Sequence, residues 1–191
     1  MIQSFKSEKV PLDFLEALRL CMNYGFISKE DIRSWALMTI RDNQDYDLNL
    51  LELIEGKEAD AREIDYKIRK LTNGRHEIEN SKRILPGIVC RQVQKNEMSE
   101  KEAAALLNEF YFQIEFSECE KDRFYGLDHE VYLAEVGIHG NLDDIHKKIR
   151  ETLRPYEKLR LDNYYEWNKI NEEIERNIKP ATNRVDGSAP N

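Results

Sequence analysis

The stretch Tyr24-Gly25-Phe26-Ile27-Ser28-Lys29-Glu30-Asp31-Ile32 decides the fold, because it spells one helix ending and another beginning. Gly25 can take the left-handed backbone that closes a helix without a Cβ penalty. Ser28 offers its hydroxyl to the free N–H groups of a new first turn, and Glu30 and Asp31 set negative charge at that turn's positive end. Ile27 before the cap and Ile32 after it are placed to pack as a hydrophobic staple. Upstream, after Pro11, the residues Leu12, Leu15, Leu18 and Met22 recur at helical spacing, flanked by Phe14 and Cys21. Downstream, Ile32, Trp35, Ala36, Thr39 and Ile40 do the same. Residues 12–43 therefore read as two helices folded back on each other, with Trp35 in the core.

The rest of the chain repeats this grammar. Residues 1–10 are polar and read as a loose lead-in. Asp45 or Asp47 can cap a third helix carrying Leu48, Leu50, Leu51, Leu53 and Ile54, which is apolar nearly all round, hence expected at the centre, and is closed by Gly56. A fourth carries Ala61, Ile64, Ile68 and Leu71 and ends at Gly74. Pro86-Gly87 is expected to break or kink the helix that resumes through Val93. Ser99 and Glu102 form a capping box before Ala103, Leu106, Leu107, Phe110 and Ile114. Residues 112–116 alternate like a strand and read as the frayed end of that helix. Residues 118–125 read as a charged loop, Asp128 as the cap of a short helix ended by Gly137, and Asn141 as the cap of another carrying Leu142, Ile145, Ile149 and Leu153. A long final helix is expected over residues 156–178, with Leu159, Trp167, Ile170, Ile174 and Ile178 as its stripe. The fold class is all-α, an irregular bundle of about eight or nine helices around a single core. Residues 1–179 are expected to form one helical domain and residues 180–191 a disordered tail. The hairpins at Ser28 and Ser99 echo each other, an echo that shared capping physics can produce without duplication.

Composition narrows the function. The chain of 191 residues carries a net charge of −8, which disfavours a general role on nucleic-acid phosphates. Residues 97–146 hold 13 Asp/Glu against 3 Lys/Arg, so this segment is at −10 and the remainder at +2. Such a run is either a solvated face or a surface complementary to a basic partner. Cys21, Cys90 and Cys119 lie far apart, neither a disulfide framework nor a zinc pattern. With no secretory leader and no long apolar run, the expected location is the cytoplasm.

No phosphate-binding glycine loop, GxSxG or HExxH occurs, and no cofactor is implied. The catalytic or metal candidate is His139, Asp143 and His146, where Asp143 and His146 share one helical face. A two-metal bundle site needs that pattern twice, and it occurs once. A DNA-reading helix-turn-helix over residues 12–43 is disfavoured by the acids that open its second helix.

At Tyr24-Gly25-Phe26-Ile27-Ser28, Asp31-Ile32, Trp35-Ala36, Ile40 and Leu51-Glu52-Leu53, within residues 12–55, the sequence resembles a group of small helical bacterial proteins. These are domains of unknown function and immunity proteins of polymorphic and contact-dependent toxin systems. The resemblance implies a cytoplasmic protein that binds and neutralises one cognate toxin, and it carries no catalytic motif. With the charge distribution it leads to a non-catalytic binding module that occludes a basic toxin, such as a nuclease. Glu115, Glu118, Glu120, Asp122 and Asp128 are the expected partner-binding residues. Self-association through residues 156–178 is the remaining alternative.

Overall fold

The computed structural model describes residues 2, 10–43, 46, 48–55, 60–72 and 79–178. Among them the chain is helical throughout, without a strand: α1 (Leu12–Asn23), α2 (Lys29–Asp42), α3 (Asn49–Ile54), α4 (Ala61–Leu71), α5 (Glu79–Lys82), α6 (Ile84–Gln94), α7 (Glu100–Gln113), α8 (Glu118–Phe124), α9 (Leu127–Glu135), α10 (Leu142–Leu153) and α11 (Trp167–Ile178). Nine of these are seven residues or longer, as expected. Two 3-10 turns, Arg154–Tyr156 and Leu161–Glu166, join α10 to α11. The readings at Asp45, Asp47, Gly56 and Gly74, and the tail 180–191, lie outside the described residues. Ile2 and Val10 are buried in the core, so the N-terminal lead-in contributes at least these two anchors.

The opening hairpin forms as its chemistry requires. Gly25 adopts φ +72°. Ser28 Oγ accepts from the Asp31 N–H at 3.1 Å, and Asp31 returns the contact by accepting from the Ser28 N–H at 2.8 Å. The same reciprocal box joins Ser99 and Glu102, after Asn96 at φ +58°. Both helix ends close with identical offsets, Phe26 N–H to the Cys21 carbonyl and Glu97 N–H to the Gln92 carbonyl. A third end, Ile138 N–H to the Leu133 carbonyl beside Gly137, repeats them. Three copies at unequal spacing favour shared turn physics over duplication as the source of the echo.

The central element is α1 rather than the short α3. Every residue from Phe14 to Met22 is buried, and α1 packs against α4, α5, α6 and the 161–166 turn. Phe14 gathers an aromatic cluster from both ends of the chain: Trp35 at 5.4 Å, Tyr164 at 5.7 Å and Trp167 at 6.0 Å between ring centroids. Trp35 is fully buried, as its position in the stripe predicts. One contiguous core runs from Ile2 to Ile178. Full enclosure of α1 also buries Glu16 and Arg19. They pair at 2.6 Å, and Arg19 reaches Asp65 of α4 at 2.9 Å.

Four further expectations are corrected. Pro86 and Gly87 do not break α6: Pro86 lies in its first turn, where a missing N–H costs nothing, and the interruption falls earlier, at Arg83. Residues 118–124 form α8 rather than a loop. Asp128 does not cap α9; Gly126, at φ +71°, occupies that position and Asp128 is the second helical residue. The final helix is shorter than expected, since residues 156–166 pass through the 3-10 turns, where Asn163 leaves helical geometry at φ −120°, ψ 35°. Residues 112–116 divide: the helix ends at Gln113 and Ile114 is extended.

Gly87 has a packing role. A Cβ built there would lie 2.8 Å from the Tyr156 carbonyl oxygen and 2.9 Å from that of Leu159. Gly87→Ala must therefore push the 156–159 turn away from α6, an overpacking cost of about 1–3 kcal/mol. Urea unfolding is expected to show a lower midpoint with an unchanged slope.

Candidate protein-binding face

Residues 97–146 fold into α7, α8 and α9 and the start of α10. Asn108 Nδ2 donates to Asp128 Oδ2 at 2.9 Å and Lys101 pairs with Glu135 at 2.8 Å, so α7 and α9 run antiparallel, pinned near both ends. α8 packs across α7.

The five predicted partner-binding residues part company here. Glu115, Glu118 and Asp122 are exposed, the Glu118 side chain by 86%. Asp128 is half-buried and committed, accepting from Asn108 and from the His129 N–H. Glu120 is not a surface residue at all. It is fully buried and holds Arg83, equally buried, at 2.8 Å. Tyr156 donates its hydroxyl to Glu120 Oε1 at 3.1 Å, and Ser117 Oγ donates to Oε2 at 2.7 Å. Arg83 Nη1 extends the network to Asn171 at 3.1 Å and Glu175 at 3.4 Å. Burial raises the Glu120 carboxyl's pKa, but the Arg83 contact and charge and the Ser117 bonds outweigh it and hold the carboxyl below its ordinary value. The network clamps α8 and α11 to the α5–α6 junction.

The structure also brings forward residues that were not singled out in the sequence. Phe112 (67% exposed), Tyr125 (62%) and Tyr132 (56%) stand on the surface of the acidic segment. Half-buried Tyr111 bridges two of them, its ring 4.8 Å from Phe112 and 5.1 Å from Tyr125. On α9, exposed His129 and Tyr132, with exposed Val136 at its C-terminal cap, recur at three and four residues, while Leu127 and Val131 bury the other side; exposed Tyr125 closes α8, ahead of Gly126. His129 and Tyr132 stack at 6.4 Å. The signal for this second stripe lay in the sequence: one short helix with apolar residues on two faces has more than its own core can cover.

Electrostatics sharpen the face. Glu100, Glu130 and Glu135 are neutralised by Arg150, Lys148 and Lys101. Glu109, Glu115 and Asp122 are exposed and have no cation within 4.0 Å among the described residues.

The alternative constellation does not assemble. His139 and Asp143 are exposed and His146 is half-buried beside the Glu100–Arg150 pair. Among the described residues no group of three or more His, Cys, Asp or Glu side chains is placed to hold a metal ion. Cys21 and Cys90 are buried and Cys119 is half-buried, all as free thiols. Burial, and then the charge of Glu157, push the Cys90 thiol up to about 11. No described helix is long and apolar enough to cross a membrane.

A family model described as an uncharacterized protein conserved in bacteria, DUF2247, matches residues 2–132. The chain belongs to this family. No curated protein and no solved structure matches the chain significantly. The DUF2247 match covers α1 to α8 and α9 as far as Tyr132, and with them Phe112, Tyr125, Arg83 and Glu120. Tyr156, Asn171 and Glu175, which complete the buried network, lie beyond it.

Proposed function

We propose that this protein is a non-catalytic binding module that captures a basic protein through the α7–α9 face. The observation that carries this reading is the coincidence of exposed Phe112 and Tyr125, bridged by half-buried Tyr111, with unneutralised acids in the same stretch of chain. Clustered exposed aromatics are what the energetic centres of interfaces are made of. Surrounding carboxylates would draw in a cationic partner and hold its register. They also work against pairing between two copies through this face, because like charges would meet. Self-association through α11 finds no support either, since Trp167, Ile170, Ile174 and Ile178 are buried in the chain's own core.

In its finer form the reading is an immunity protein that neutralises a basic, nuclease-type toxin domain by covering its working surface. The resemblance at residues 12–55 and the acidic, aromatic character of the α7–α9 face motivate it. The test is charge reversal at the exposed acids only. Reversal of all five predicted residues would strip Arg83 of its buried partner and break the Asn108–Asp128 bond. Glu115→Lys, Glu118→Lys and Asp122→Lys together should leave thermal unfolding within about 2 °C of wild type, since exposed sites contribute little. The wild-type chain should retain a basic protein from the source bacterium at ~0.1 M salt and release it as salt rises, and co-expression should relieve that protein's toxicity. The triple variant should do neither. Capture and protection that survive the reversal would exclude the acidic face.

A further inference from the structure

The molecule has a second region whose charge runs against its net −8. Between α6, the end of α10, the 3-10 turns and α11, three adjoining hollows share Glu157. The largest encloses about 510 Å³, within the ~300–1,000 Å³ of small-molecule sites. Across the three, seven Lys and Arg side chains meet four Glu. Four of the cations are committed to carboxylates, among them Lys158 to Glu173 at 2.8 Å and Arg160 to Asp162 at 2.9 Å. Arg91, Arg154 and Lys169 have no carboxylate within 4.0 Å among the described residues.

Arg91 is the positioned one. Its Nη1 donates to the backbone carbonyls of Glu157, at 3.2 Å, and Leu159, which fixes the fork in the wall of the hollow. Its remaining guanidinium N–H groups have no protein acceptor among the described residues. Burial, and then the like charge of Arg160, lower its pKa from the ordinary arginine value. A half-buried guanidinium held by carbonyls, with no carboxylate within 4.0 Å among the described residues and a second guanidinium nearby, is arranged to receive an anion. Glu157 and Glu166 line the same hollow without cationic partners within 4.0 Å, and a carboxylate accepts hydrogen bonds from hydroxyl groups. They would repel a long phosphate strand continuing past the two arginines.

We propose that this cleft binds a small phosphorylated polyol, of sugar-phosphate or mononucleotide size, with the phosphate on Arg91 and Lys169, Arg160 beside them in its pair with Asp162, and the hydroxyls toward Glu157 and Glu166. The site is independent of the α7–α9 face. Calorimetric titration of the full chain with ribose 5-phosphate, inorganic phosphate, ribose and a single-stranded dodecanucleotide tests it. Ribose 5-phosphate should bind saturably at one site, at least ~10-fold tighter than inorganic phosphate, with ribose silent. Lys169→Glu, at an exposed position, should weaken binding by at least ~10-fold with unchanged unfolding temperature, and Lys169→Gln by less. Three results would overturn the proposal: no saturable binding at about 10 mM ligand, binding indifferent to both Lys169 variants, or an oligonucleotide preferred over ribose 5-phosphate.

Discussion

Glu120→Ala should unfold far more easily than wild type, by about 3–5 kcal/mol, because it strands the Arg83 guanidinium in the interior. The cost arises from the survivor. Two charges withdrawn from water offset each other, and removing Glu120 leaves Arg83 with its desolvation penalty and only Asn171 and the longer Glu175 contact to compensate. For a chain of this length the loss corresponds to roughly 6–20 °C in unfolding temperature. The double variant Arg83→Met/Glu120→Leu should recover most of it, since a buried ion pair and an apolar pair of similar volume are often close in stability. Equal damage in the single and double variants would mean that the network matters for its shape and not its charge.

The same pair sets a pH dependence. The folded-state pKa of Glu120 lies below its unfolded value, so in that window the unfolded chain takes up the extra proton. Its contribution is therefore complete above the ordinary carboxylate value of 4.5 and fades as pH falls through the lowered one. Asp65, which Arg19, Arg69 and Asn23 hold below its ordinary value against the opposing effect of burial, adds to the loss in the same direction. Denaturation midpoints between pH 7 and pH 3 should fall in wild type, and fall less steeply in Glu120→Gln.

The second large effect is at the exposed rings. Phe112→Ala and Tyr125→Ala should each weaken partner capture by about 2 kcal/mol or more, some 30-fold, as truncation of central interface aromatics does. Stability should barely change, because both side chains are more than half exposed in the free protein. Tyr66→Ala on α4 is the control: its ring is 67% exposed, away from the acidic segment in the chain, and its loss should leave affinity unchanged. If all three variants bind alike, exposure at Phe112 and Tyr125 has no functional meaning.

Local rules carry far in this chain and then stop at a definable point. Caps at Ser28, Ser99 and Asn141 and the stripes of α1, α2 and α10 were legible because each depends on neighbours within four residues. Even α8 was legible in principle, since Ser117 and Glu120 repeat the spacing of Ser99 and Glu102, and the density of charge masked it. Glu120 also shows where local reading ends. Nothing near it distinguishes a buried carboxylate from an exposed one, because the arginine that decides the matter is 37 residues away. Gly87 behaves similarly, reading as a helix breaker until the carbonyls of Tyr156 and Leu159 are seen against it. The candidate face was half visible. Its acids stood out as a charge run, whereas its aromatic residues fell in none of the stripes read from the sequence and became visible only through their exposure.

Hydrogen exchange of the chain alone and in its captured complex tests the central claim most directly. If the acidic, aromatic face is the working surface, peptides spanning residues 109–136 should gain protection on binding while α1, α2 and α4 exchange as before. Protection confined to other helices, with residues 109–136 unchanged, would contradict the account.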